Sequence, residues 1–176
     1  EAKTCMSLDA LNITRLFDCS QLDVYLYRIL LWRNYSMNND RPSWENIWMT
    51  MAETISLRSH HPTFKVGALI VSSDNTQVLS LGYNGNAAGM SNVPQSEQPG
   101  CSGLLHAEIN ALLKLDYNNP KDKVMYLTLS PCEYCAKAIV NSGIKKVMYK
   151  DVYRNIDGIN VLKDTGIVIE RYKEEL

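Results

Sequence analysis

The order of periodicities along this 176-residue chain predicts an α/β fold built around a mixed five-stranded sheet. Two β-rich runs, 66–71 and 78–83, flank Ser73-Asp74-Asn75 and read as an antiparallel hairpin closed by a tight turn. Beyond residue 106 helical and strand patterns alternate, which requires crossover connections and therefore parallel strands.

Each element has its own signal. Trp44, Ile47, Trp48, Met51, Ala52 and Ile55 recur at helical spacing, Ser43 supplies an N-cap, and the run is expected to end near Ser59, ahead of His61-Pro62. The hairpin follows. Residues 84–102 are rich in Gly, Asn, Ser and Pro, a loop of about 19 residues, and loops of that length in compact domains are usually functional. The remaining expectations are helices at 106–116, 131–142 and 156–164 and strands at 123–129, 145–149 and 167–172. Residues 1–41 stand apart as an N-terminal extension. Leu22, Tyr25, Leu26, Ile29 and Leu30 form a helical stripe, and Asn38-Asn39-Asp40-Arg41-Pro42 reads as a linker to a domain at 42–176. That stripe suits a helix packed on the domain or a sister subunit, or a docking segment for another protein.

Composition narrows the function classes. With 18 Lys plus Arg against 19 Asp plus Glu, the net charge of −1 offers no general attraction to nucleic acid. No apolar run approaches the roughly 18 residues of a membrane span. Five sparse cysteines do not make a disulfide framework, so a reducing, cytoplasmic setting is expected. The chain opens on Glu1 without an initiating Met or signal core, as a trimmed or excised segment would.

The residues that carry chemistry are His106-Ala107-Glu108 and, 26 positions after the histidine, Pro131-Cys132-Glu133-Tyr134-Cys135. One imidazole and two thiolates supply three ligands to a tetrahedral Zn²⁺ and leave its fourth position open, as in catalytic sites. Ser130-Pro131-Cys132-Glu133 has the form of a helix start, with Ser130 as N-cap, Pro131 at the first helical position and Glu133 completing a capping box. His106 begins another helix, so two helix starts are expected to converge on one ion. Glu108 would take a proton from the attacking water and hand it on, as hydrolytic deamination at C4 of cytosine requires. His-x-Glu followed by Pro-Cys-x-x-Cys is the signature of zinc deaminases.

With these motifs on view, residues 42–176 resemble the cytidine/deoxycytidylate deaminase superfamily, and its deoxycytidylate (dCMP) deaminase branch in particular. The likeness is carried by Lys65-Val66-Gly67-Ala68, Gly82-Tyr83-Asn84-Gly85, His106 to Leu112, and Thr128 to Lys137. It implies a three-layer α/β/α cytidine deaminase-like fold, zinc on His106, Cys132 and Cys135, and Glu108 as the proton shuttle. It further implies Asn84 on a sugar hydroxyl, backbone of Ala107 and Ser130 on the base edge, and Tyr153-Arg154 facing base and phosphate. The implied reaction is dCMP to dUMP and ammonia, supplying the thymidylate precursor. Homo-oligomers and regulation by dCTP and dTTP are part of the family picture.

One departure stands out. Many members carry Arg ahead of the Lys-Val-Gly segment, where this chain has His61-Pro62-Thr63-Phe64, so phosphate recognition is expected to rest on Arg154 and backbone amides of the 84–92 loop. His60, His61 and Cys101 could be imagined as a second metal site, but their spacing does not match one. Competing readings are a tRNA adenosine deaminase, a dCTP or cytidine deaminase, and an inactive deaminase fold used for binding. Ser130, Lys137 and the Tyr153-Arg154 pair argue against the first, and an intact Glu108 against the last.

Overall fold

The computed structural model describes residues 41–96, 98 and 101–174. The extension expected at 1–41, apart from Arg41, lies outside the described residues, as do Cys5 and Cys19. The order of elements is α1 (Trp44–Ser56), β1 (Gly67–Ser72), β2 (Val78–Tyr83), α2 (Ala107–Leu112), β3 (Lys123–Leu129), α3 (Glu133–Asn141), β4 (Lys146–Asp151), α4 (Asp157–Asp164) and β5 (Val168–Arg171).

The five strands form one sheet in the order β2-β1-β3-β4-β5. β1 runs antiparallel to both β2 and β3, whereas β3/β4 and β4/β5 are parallel. The sheet is therefore mixed, as the hairpin and the later alternation require. Every residue of β1 is buried, which suits a central strand covered on both faces. At the edge, β2 alternates in burial and exposes Val78 and Leu81.

Alternation along the strands sends side chains to two cores. Ala68, Ile70, Met125, Leu127 and Val147 face Ala111 of α2, Ile139 of α3 and Leu162 of α4. Leu69, Val71, Tyr126 and Met148 face Trp48, Met49 and Ala52 of α1. Among the described residues, one helix lies on one face and three on the other, an α/β/α layering.

α1 begins where its sequence predicts, because the Ser43 hydroxyl accepts the Asn46 N–H at 3.2 Å. Trp48 Nε1 donates to Asn75 Oδ1 at 2.8 Å, which ties the helix to the hairpin turn, where Asn75 adopts φ 58°. At Gly67 a Cβ would lie 2.0 Å from Ala52 O, so α1 rests on β1 at a distance only glycine permits.

α1 ends at Ser56 instead of near Ser59, and two further helices differ from expectation. α2 stops at Leu112 instead of 116: Lys114 and Leu115 turn back to Ala111 and Leu112 through tighter bonds, and the Tyr117 hydroxyl donates to Leu112 O at 2.9 Å. α3 starts at Glu133, with Cys132 as the N-cap residue in extended conformation. Ser130 is not the cap. Its hydroxyl accepts the Tyr153 N–H at 2.8 Å, and Glu133 pairs with Lys137 one turn along instead of closing a capping box.

Candidate active site

Two close approaches set the positions of the motif residues. α2 lies on β2 because Gly82 has no side chain: a Cβ there would meet Ala107 O at 2.3 Å. Asn110 Nδ2 donates to Tyr83 O at 2.9 Å, and the Ser80 hydroxyl donates to Ala111 O, which fixes the helix against the strand. On the other side, a Cβ on Gly158 would lie 2.0 Å from Pro131 O, so the start of α4 braces the turn carrying Cys132. The long loop is closed at its base by paired bonds between Gly85 and Leu105, and the chain then delivers His106 as the N-cap of α2.

Consequently two helix starts do converge. His106 Nδ1 lies 3.5 Å from Cys132 Sγ and 3.3 Å from Cys135 Sγ, and the three potential ligand atoms all fall within 4.8 Å of one another. For Zn–S and Zn–N bonds of about 2.3 and 2.0 Å, a tetrahedron has edges of about 3.5 to 3.8 Å. Donor chemistry and spacing both fit zinc. Among the described residues this is the sole group of three His, Cys, Asp or Glu arranged to hold a metal. Among the described residues, His60, His61 and Cys101 are not brought together as a second centre.

The electrostatics agree with a cation site. The hydrogen bond from the Cys135 thiol pulls Cys132 down to about 4, with help from His106. Sharing that proton pushes Cys135 up, and the Cys132 contact raises His106. Cys132 and Cys135 would hold a metal ion as thiolates, with the proton they share released. Glu108, 4% exposed, is pushed up to about 7 chiefly by burial. A carboxyl group near 7 exchanges protons readily at neutral pH.

The triad opens into a cleft lined by His61, Phe64, Asn84, Glu108, Ser130 and Tyr153, with Ala107 and Ser102 also at its wall. Ser130 is more committed than its sequence suggests. Its N–H donates to Asp151 O and its hydroxyl accepts from Tyr153, which leaves the carbonyl for other partners. Ala107, first residue of α2, has an N–H with no acceptor in its own helix. Asn84 is buried, its Oδ1 accepting the Val66 N–H and its Nδ2 donating to Phe64 O, each at 2.8 Å.

Arg154, expected from the sequence to face the phosphate, does not join the cleft wall. Its guanidinium lies over the Tyr153 ring, 5.5 Å from the centroid, and the residue is exposed. His61 and Phe64, which the sequence presents as a departure from the family pattern and not as substrate contacts, both line the cleft. The His-Pro pair ahead of β1 was their available signal.

With this geometry in hand, the family model for the cytidine and deoxycytidylate deaminase zinc-binding region matches residues 42–151. The chain belongs to that deaminase family. Human deoxycytidylate deaminase is 34% identical over 131 residues, covering 68% of this chain and 71% of the human protein. The Saccharomyces cerevisiae deoxycytidylate deaminase is 31% identical over 144 residues, and the match spans 75% of this chain but only 46% of the yeast protein. A dCMP deaminase from cyanophage S-TIM5, solved with dCMP and dUMP, has a TM-score of 0.68 and 34% identity, covering 76% of this chain and all of the phage chain. The fold is that of the deaminase family, and the family is a zinc-binding one. Among the described residues, no helix is long and apolar enough to cross a membrane.

Proposed function

We propose that the chain hydrolyses dCMP to dUMP and ammonia. The observation that carries this is a buried Glu108 beside a His106–Cys132–Cys135 triad at the floor of a cleft, in a chain whose relatives include deoxycytidylate deaminases. His106, Cys132 and Cys135 would hold the zinc. When bound, zinc supplies the Lewis acidity that makes water nucleophilic at neutral pH.

The chain's own groups do the rest. Glu108 takes a proton from the attacking water and gives it to N3 of cytosine as oxygen bonds to C4. It then carries the second proton to the amino group, the C4–N bond breaks, and ammonia leaves behind the C4 carbonyl of uracil. In this reading the Ala107 N–H donates to the base carbonyl, and the Ser130 carbonyl accepts from the amino group. Tyr153 closes over the base, and Asn84 has one N–H and one lone pair left for the sugar.

The domain reading places catalysis in residues 42–176, with 1–41 as an extension. Homo-oligomeric assembly, a cytoplasmic setting and regulation by dCTP and dTTP belong to the same proposal, and light scattering with and without those nucleotides tests the assembly. Ammonia release should be greatest on dCMP in a panel with CMP, dCTP, deoxycytidine and an adenosine-containing tRNA hairpin. Glu108→Ala should keep zinc and lose turnover by about 10²-fold or more. Preference for the hairpin, or full turnover by the variant, would overturn the reading.

A further inference from the structure

His61 sits in the cleft wall in a single hydrogen-bonding role. Its Nδ1 accepts the Phe64 N–H at 3.0 Å and the Thr63 N–H at 3.3 Å, shaping the backbone ahead of β1 as an Asx turn would. Because Nδ1 is an acceptor, the neutral ring carries its hydrogen on Nε2. The backbone N–H of His61 donates to the Ser59 hydroxyl at 3.1 Å, and that hydroxyl donates to Asn84 O at 3.0 Å, so the imidazole is tied to the Asn84 segment. The ring also meets Phe64 edge to face at 5.5 Å.

The residue is only 4% exposed, yet among the described residues no fully buried side-chain nitrogen or oxygen lacks a partner. Among the described residues Nε2 has no hydrogen-bond partner, so it must reach open space, and the space beside His61 is the cleft. Asn84, meanwhile, spends one lone pair on Val66 N–H and one N–H on Phe64 O, which leaves one of each. A sugar contact resting on Asn84 alone would be thin. Among the described residues no Lys or Arg lines the cleft, so a phosphate dianion there would lack a charged partner. A neutral hydroxyl oxygen is the acceptor this donor fits.

The geometry points to His61 Nε2–H as a specificity-determining donor to the 3′-hydroxyl of the deoxyribose, acting beside Asn84. This inference rests on the proposed dCMP reaction. It also gives the residues at the family departure a use: His61 both holds the 61–64 turn and reads the sugar.

Two substitutions separate those tasks. In His61→Asn the short amide can place an acceptor where Nδ1 stood, keeping the turn but removing the cleft donor. In His61→Gln the longer amide can place an N–H where Nε2 stood, keeping the donor but weakening the turn. Both are assayed with zinc bound, on dCMP and on 2′,3′-dideoxy-CMP, which lacks the 3′-hydroxyl. His61→Asn should lose about 3- to 10-fold in kcat/KM on dCMP, mainly in KM, and lose nothing on the dideoxy substrate. His61→Gln should retain the preference for dCMP over the dideoxy substrate even if its melting temperature falls. Equal losses by His61→Asn on both substrates, or no loss on either, overturn the inference while leaving dCMP deamination standing. A loss on dCMP that vanishes on deoxycytidine would assign the contact to phosphate and also overturn it. A wild-type chain that releases no ammonia from dCMP overturns the parent reading and this one together.

Discussion

At the residue scale the decisive feature is the carboxyl of Glu108, held near 7 by burial. Raised above its ordinary 4.5, it binds a proton in the folded protein over a range where the unfolded chain has already lost it. Folding stability should therefore fall as pH rises from about 4.5 to about 7, by about 3 kcal/mol from this group in the metal-free protein. Glu108→Gln removes that slope. Thermal melts of the metal-free proteins should show the variant more stable than wild type at pH 8 and nearly equal at pH 4.5; the same advantage at both pH values would contradict the burial argument. The metal ligands and Glu108 were legible in the sequence because their spacing is set by two adjacent helix starts. Ser130 shows where local reading stops. Ser-Pro-Cys-Glu satisfies every rule for a capped helix start, but the hydroxyl is claimed by Tyr153, 23 residues away. Asn84 and Arg154 are of the same kind, since a neighbouring backbone or ring competes for groups that look free in the sequence.

At the scale of elements, the site is positioned by glycines more than by its own side chains. Gly82 seats α2 and Gly158 seats α4 at backbone contact distance, and each sits opposite a ligand-bearing turn. Gly158→Ala should force α4 away from Pro131 and Cys132, with a cost of about 1–3 kcal/mol. Zinc content per chain and melting temperature should fall together, whereas Gly143→Ala, at a position with φ 78° but open space around it, should lower stability without loss of zinc. Metal analysis of the purified variants checks both outcomes. Strand positions were readable to within a residue or two, because alternation and the Ser73-Asp74-Asn75 turn are local signals. The end of α2 was not, since Tyr117 folds back onto Leu112 O from beyond the helix and shortens it.

For the whole molecule, the mixed sheet and its two cores follow from alternating apolar positions, and the number of strands was readable for that reason. Which helix covers which face depends on the crossover hand and on close approaches such as Gly67 on Ala52, which a linear pattern does not display. The zinc triad joins segments on either side of β3, so the metal should add to global stability. Removing it with a chelator should lower stability by about 3 kcal/mol when the free zinc had been about 100 times its dissociation constant, a fall in melting temperature of about 10 °C. Scanning calorimetry before and after chelation, with zinc added back, measures this; an unchanged melt would show that the triad does not hold the ion in the folded state. The order of strands carries a further meaning for how the chain assembles. β1 meets β2 across a short turn, but it meets β3 only after the long cleft loop and α2 have been laid down. The hairpin can form early on its own, whereas joining His106 to Cys132 and Cys135 awaits the slow closure of that distant pair. Zinc thus acts as a latch on a nearly finished fold: it should slow escape from the native state while leaving the rate of reaching it nearly unchanged.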